Sequence, residues 1–180
     1  MILTGSEITK QVRSGAITIA PFSEELVNPN SYNYRLGSHL LEITDDVIDP
    51  KAVPNYKSIT LTDEGYLLTP GTLYLASTLE KIGSNQFVTS LIGRSSVGRL
   101  GLFLQITADL GHLGAIHHWT LELKVVQPLR VYPKMKIGQV SFWSTTGSKR
   151  MLYAGKYHAH DKPHHSKLYE ELLEESEPTI

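Results

Sequence analysis

At 180 residues the chain has the length of one domain, sufficient to bury well over half of the surface that its unfolded form exposes. With 41% hydrophobic and 19% charged residues it is neither disordered nor coiled-coil in composition, and a formal net charge of −1 provides no global field to recruit nucleic acid. The absence of cysteine excludes a disulfide framework and every thiolate metal site. No basic segment followed by an apolar one opens the chain, and no apolar run reaches membrane-spanning length. The expectation is a single domain over residues 1–180, cytoplasmic, engaging neither nucleic acid nor membrane.

In chain order, Thr4-Gly5-Ser6-Glu7 matches a capping box, and Ile8 and Val12 lie on one face, predicting a short helix from about Gly5 to Arg13. From Ile17 onward the helical period is replaced by short apolar or alternating runs separated by Gly, Pro, Asn and Asp. Strands are predicted at Ile17–Ile19, Tyr32–Leu36, His39–Ile43, Ser58–Leu61, Tyr66–Leu68, Leu73–Leu79, Phe87–Ile92, Leu102–Ile106, Trp119–Val126, Leu129–Val131 and Lys136–Trp143. Strands at this spacing predict an all-β sandwich or barrel. Between two of them, Gly93-Arg94-Ser95-Ser96-Val97-Gly98-Arg99-Leu100-Gly101 predicts a tight polar turn or a single helical turn. Apolar residues at 168, 169, 172 and 173 predict a short amphipathic helix over Ser166–Glu175.

The Arg94–Arg99 segment combines two guanidinium groups, two hydroxyls and flanking glycines, a set able to meet phosphate oxygens with forked cations and close backbone N–H groups. The alternative is a turn whose arginines make surface ion pairs, and the Gly-Lys-Ser/Thr ending of a Walker loop is missing. Glu122 sits in an apolar strand-like run, sharing a face with Thr120 and Lys124, where a glutamate is ordinarily a solvated outward residue. Of the eight histidines, His117-His118, His158, His160 and His164-His165 invite a test as zinc ligands, yet adjacent histidines in a strand face opposite ways and no His-Glu-x-x-His helix occurs. They read as surface or polar-network residues, and no zinc site is expected.

The loop from Gly93 to Gly101 resembles the Gly-Arg-Ser-Ser-x-x-Arg-x-Gly signature of dCTP deaminases, whose first residues are shared with trimeric dUTPases. Asn30 to Gly37, Leu68 to Gly71, Leu75 to Glu80, Thr120 to Leu123, Tyr132 to Gln139 and Gly155 to Tyr157 resemble deaminase segments in the same order, so the likeness covers roughly residues 1 to 167. Glu122 follows Ser95 by 27 positions, the spacing of the family's general base. The resemblance implies a distorted, jelly-roll-like β-barrel (dUTPase-like) with short terminal helices, assembled as a homotrimer with active sites between subunits. It further implies deamination of dCTP to dUTP and ammonia, with no zinc at the base and magnesium carried on the triphosphate.

By the same resemblance Glu122 takes a proton from the attacking water, while Ser95 and Arg99 place that water and stabilise the tetrahedral centre. Arg94 and Ser96, with Ser95, contact phosphates, and the backbone around Thr107 and Ala108 reads the pyrimidine edge. The tail, residues 153–180, closes over the nucleotide, with Tyr153, Lys156 and His160 as contacts. Four residues depart from the family pattern. His112 stands where an aspartate contacts the deoxyribose, Ala115 where an aromatic follows, Asn33 in place of an aspartate, and His160 in place of a glutamine. The nearest rival is a bifunctional enzyme that also cleaves the triphosphate to give dUMP. A related deaminase of altered sugar or base specificity and a non-catalytic nucleotide-binding regulator are the other readings, and a pure dUTPase lacks its water-activating aspartate loop here.

Overall fold

The computed structural model describes residues 1–104, 108–147, 151–157 and 161–174. Helix α1 spans Gly5–Arg13, and Thr4 caps it by accepting from the Glu7 N–H. Glu7 in its first turn and Arg13 in its last suit the helix dipole, and Ile8 is buried against the sheet. The strands are β1 (Thr18–Ala20), β2 (Tyr32–Ile43), β3 (Tyr56–Thr60), β4 (Tyr66–Leu68), β5 (Tyr74–Gly83), β6 (Phe87–Gly93), β7 (Leu102–Leu104), β8 (Leu110–Gly111), β9 (His117–Val125), β10 (Leu129–Val131) and β11 (Lys136–Ser144). A single-turn helix α2 (Ser95–Gly98) lies between β6 and β7, and α3 (Leu168–Glu174) falls in the carboxy-terminal segment.

Among the described residues, nine strands form one sheet in the order β7-β9-β5-β2-β11-β6-β8, with β1 on β5 and β3 on β2, while β10 pairs with β4 apart from it. Every pairing is antiparallel, and the sheet curls into a half-barrel. The concave interior holds one core built from Tyr32, Tyr34, Leu40, Leu91, Leu121 and Phe142 with their neighbours. The all-β expectation holds, and so does the single turn over the Arg94–Arg99 segment.

Strand boundaries differ where a glycine misled the reading. Tyr32–Leu36 and His39–Ile43 are halves of one twelve-residue strand. Gly37 makes no turn between them. It lets β2 approach β5 so closely that a Cβ there would sit 2.8 Å from the Ser77 hydroxyl. β5 runs on to Gly83 because Lys81 to Gly83 pair with β1, and β9 begins at His117. Residues 105 and 106 of the predicted Leu102–Ile106 strand lie outside the described residues.

β5 is distorted on both edges. Its register against β2 shifts between Leu36 and Leu40, and its register against β9 shifts between Ser77 and Lys81. Glu80, in this stretch, is fully buried and accepts from the Arg35 side chain (Nε to Oε1, 2.6 Å) and from the Arg35 backbone N–H (2.8 Å). Arg35→Met strands that carboxylate with one donor fewer. The substitution should lower unfolding free energy by about 3 kcal/mol, the low end for breaking a buried pair because the arginine is partly exposed. Urea unfolding of the two proteins is the measurement.

Candidate active site

β9 carries Glu122 on a face of the sheet where its cross-strand partner is Leu75 of β5. The carboxylate is half-buried and lines a cavity of about 530 Å³. Burial away from water pushes its pKa above the usual 4.5. Thr120 lines the same cavity from the same face, as the strand alternation predicts.

His117 and Trp119, from the other set of alternate positions, also line the cavity. The register shift between Ser77 and Lys81 accounts for this, since extra residues in β5 bend the pairing and turn that end of β9 inward. Trp119 is fixed there by its backbone N–H on the Thr78 hydroxyl (2.9 Å) and its indole N–H on the Ile82 carbonyl (2.9 Å). The His117 ring packs on the indole at 4.4 Å between centroids.

Past β8 the chain turns through His112 to Ala115. His112 stacks on Tyr153 (5.5 Å), whose backbone N–H donates to the Leu113 carbonyl (2.7 Å), so the turn after β8 and the start of the tail are joined. Further along, the His164 N–H donates to the Thr120 hydroxyl (3.2 Å), and His165 stacks on Tyr56 of β3 (5.7 Å). Tyr153, Tyr157, His164 and His165 therefore share the cavity with Glu122 and Ala108.

The remaining expected site residues are elsewhere. Arg94, Ser95, Ser96 and Arg99 sit at α2, with Ser95, Ser96 and Arg99 exposed and the Arg94 guanidinium donating to the Lys136 carbonyl (3.2 Å). None of the four lines the cavity with Glu122. The Lys156 ammonium donates to Glu171 of α3 and to the Lys167 carbonyl (3.1 Å), and the Glu171 carboxylate raises its pKa. Thr107 and His160 lie outside the described residues. Sequence reasoning missed Leu75, Ile43 and Leu73 as walls of the cavity, and it treated His117, His164 and His165 as surface or network residues. Strand pairing alone brings Leu75 opposite Glu122, so no local pattern marks it.

The family model described as dCTP deaminase-like matches residues 2–145. The chain belongs to that family. Its relatives include "dCTP deaminase, dUMP-forming" proteins of Hathewaya histolytica (46% identical over 157 residues, 87% of this chain and 91% of that one) and of Clostridium botulinum strain Alaska E43 (42% over 172 residues, 96% and 99%). A protein of the same name from Leptospira biflexa is 43% identical over 172 residues, covering 96% of this chain and 98% of that one. The crystal structure of 2'-deoxycytidine 5'-triphosphate deaminase from Agrobacterium tumefaciens superposes with a TM-score of 0.63 at 21% identity, over 78% of this chain but 47% of that one. That likeness shows the fold, the expected dUTPase-like jelly roll.

The relatives' names overturn the expectation of a reaction ending at dUTP, since each is dUMP-forming. The expectation followed from the resemblance at Glu122 and its spacing from Ser95, which says nothing of the phosphate chain.

Ionising Glu122 costs more in the folded protein than in the unfolded chain. Its contribution to stability is fully present below the ordinary 4.5 and is lost as pH rises through the raised value. Glu122→Gln, which cannot ionise, should therefore exceed wild type in stability at neutral pH, with the gap closing as pH falls toward 4.5. Denaturant midpoints for both proteins across that range give the comparison.

Proposed function

We propose that the protein is a hydrolase that converts dCTP to dUMP, ammonia and pyrophosphate, consuming two waters. The observation that carries the reading is Glu122, half-buried in the cavity with a raised pKa, in a chain whose relatives are dUMP-forming. Glu122 takes a proton from water as the oxygen adds to C4 of cytosine, then passes it to the departing amino group, and ammonia leaves as the uracil carbonyl forms. A raised pKa makes the carboxylate a stronger base for the first transfer, while its conjugate acid remains acidic enough to protonate the departing amino group. A second water then cleaves between the α- and β-phosphorus, releasing pyrophosphate.

Ser95 and Arg99 place the first water and stabilise the tetrahedral centre, while Arg94, Ser95 and Ser96 hold phosphates with forked and backbone donors. Magnesium arrives as part of the substrate, on the triphosphate. The Thr107–Ala108 backbone reads the pyrimidine edge, and His112 and Tyr153 meet the sugar. Lys156, once released from Glu171, and His160 complete the hold on the phosphates as the tail closes. The absence of cysteine supports chemistry without a thiolate zinc. The reaction is assigned to the cytoplasm, where deoxynucleoside triphosphates are consumed.

The active site is assigned between subunits of a homotrimer. Support comes from the separation already described: the exposed α2 loop and the Glu122 cavity are distinct surfaces of one chain. A neighbouring copy supplying the loop would bring them together without any rearrangement of the fold.

Incubation with dCTP and magnesium should yield ammonia and pyrophosphate in equal amounts, with dUMP as the nucleotide. Accumulation of dUTP would sink the second hydrolysis, and no ammonia would sink the whole reading. Glu122→Gln should lower the rate by about 10²–10⁴-fold. Mixing Glu122→Gln with Arg99→Ala, each nearly inactive, should restore about a quarter of wild-type activity per site, the chance that a site in a random heterotrimer draws both halves intact. No recovery after subunit exchange argues for sites within one chain.

A further inference from the structure

Lys156 joins the cavity to α3. On either side of it, Tyr153 and Tyr157 line the cavity that holds Glu122. Between the two tyrosines the chain turns tightly. Gly155 lies against the Tyr153 ring, where a Cβ would come within 2.5 Å, and the Tyr157 N–H donates to the Tyr153 hydroxyl (3.4 Å). The Lys156 backbone is therefore held at the cavity's edge, while its side chain is engaged by α3. Its ammonium donates to the Glu171 carboxylate and to the Lys167 carbonyl (3.1 Å). A flexible four-carbon stem lets the same backbone position present the ammonium to α3 or to the cavity mouth.

α3 is held lightly. None of its seven residues is buried, Leu168 and Leu173 remain exposed, and its start is fixed by the Lys167 N–H on the Tyr157 hydroxyl (2.8 Å). Glu170 lies 3.9 Å from the Lys167 ammonium and accepts from the Tyr169 hydroxyl (3.2 Å), whereas Glu171 pairs with Lys156. The Glu171 side chain is 56% exposed, so water screens the pair and separating it costs little. Phosphate oxygens carry more charge than one carboxylate and accept several charge-assisted hydrogen bonds, so they can take the ammonium from it.

We propose that Glu171 competes with the substrate's phosphates for Lys156, so that α3 is an autoinhibitory element that lowers the protein's affinity for the triphosphate. The inference rests on the reading of Lys156 as a phosphate contact. An interaction made in the unbound state and broken on binding weakens binding by its own strength. Removing the Glu171 charge therefore tightens binding, whereas removing a residue that merely props the tail against the nucleotide weakens it.

The test measures the binding of magnesium–dCTP by calorimetry in a Glu122→Gln background, where hydrolysis is slowed. Glu171→Gln should tighten binding by about two- to fivefold, the range of a partly exposed ion pair. Lys156→Met should weaken it by about tenfold through loss of a charge-assisted hydrogen bond. Adding Glu171→Gln to Lys156→Met should change nothing further, because the competitor then has nothing to compete for. Glu174→Gln removes the same charge from the same helix, outside that pair, and should leave affinity as it is. Unchanged or weaker binding in Glu171→Gln, equal tightening in Glu174→Gln, or tightening that persists without Lys156 overturns the competition and leaves the phosphate reading standing. Binding unaffected by Lys156→Met overturns the phosphate reading itself, and no dCTP binding in any of the proteins sinks the nucleotide reading beneath both.

Discussion

The buried pair between Glu80 and Arg35 is the constraint on which the geometry of the site depends. A carboxylate with no exposed surface must keep its donors, and both donors here come from one residue of the neighbouring strand. The pair pins β5 to β2 in the stretch where β5 slips register on both edges. Within that stretch the Thr78 hydroxyl donates to the Glu80 carbonyl (2.7 Å) and accepts from Trp119, so the distortion is handed across to β9. Trp119 and His117 then turn into the cavity that holds Glu122. Such a pair adds little net stability over an apolar replacement, but it selects one register among several.

Charge is distributed to suit two different tasks. Glu122 is half-buried beside Leu75, Trp119 and Ala115, surroundings that raise its affinity for a proton. The α2 loop, by contrast, keeps its hydroxyls and the Arg99 guanidinium in solvent, so no desolvation cost is carried by the isolated chain. The tail contributes in the same spirit, with Tyr153 on His112 and His164 on Thr120 narrowing the cavity while Lys156 is neutralised by Glu171.

Much of the fold was legible because local chemistry agreed with it. The Thr4 cap, the single helical turn at α2 and the alternation from Leu121 to Val125 in β9 survive into the structure. Gly37 was misread because a glycine reports either a turn or a close approach, and only the position of Ser77 on β5 distinguishes the two. β8 escaped notice because Leu110 and Gly111 pair with β6 over two residues, too short for any period. The product was misread because the motif and the spacing of Glu122 carry no information about the phosphate chain.

The sequence by itself determined the all-β class and the family, and it singled out Glu122 and the loop of arginines and serines, because each rests on residue type and spacing along the chain. Tertiary structure decided what stands around the carboxylate: Leu75 opposite it, Ile43 and Leu73 beyond, the histidines of the tail above, and the α2 loop apart from them all. These placements arise from strand pairing between segments far apart in sequence. Pairing is governed by register, and register here is fixed by a bulge and a buried ion pair that no local pattern announces.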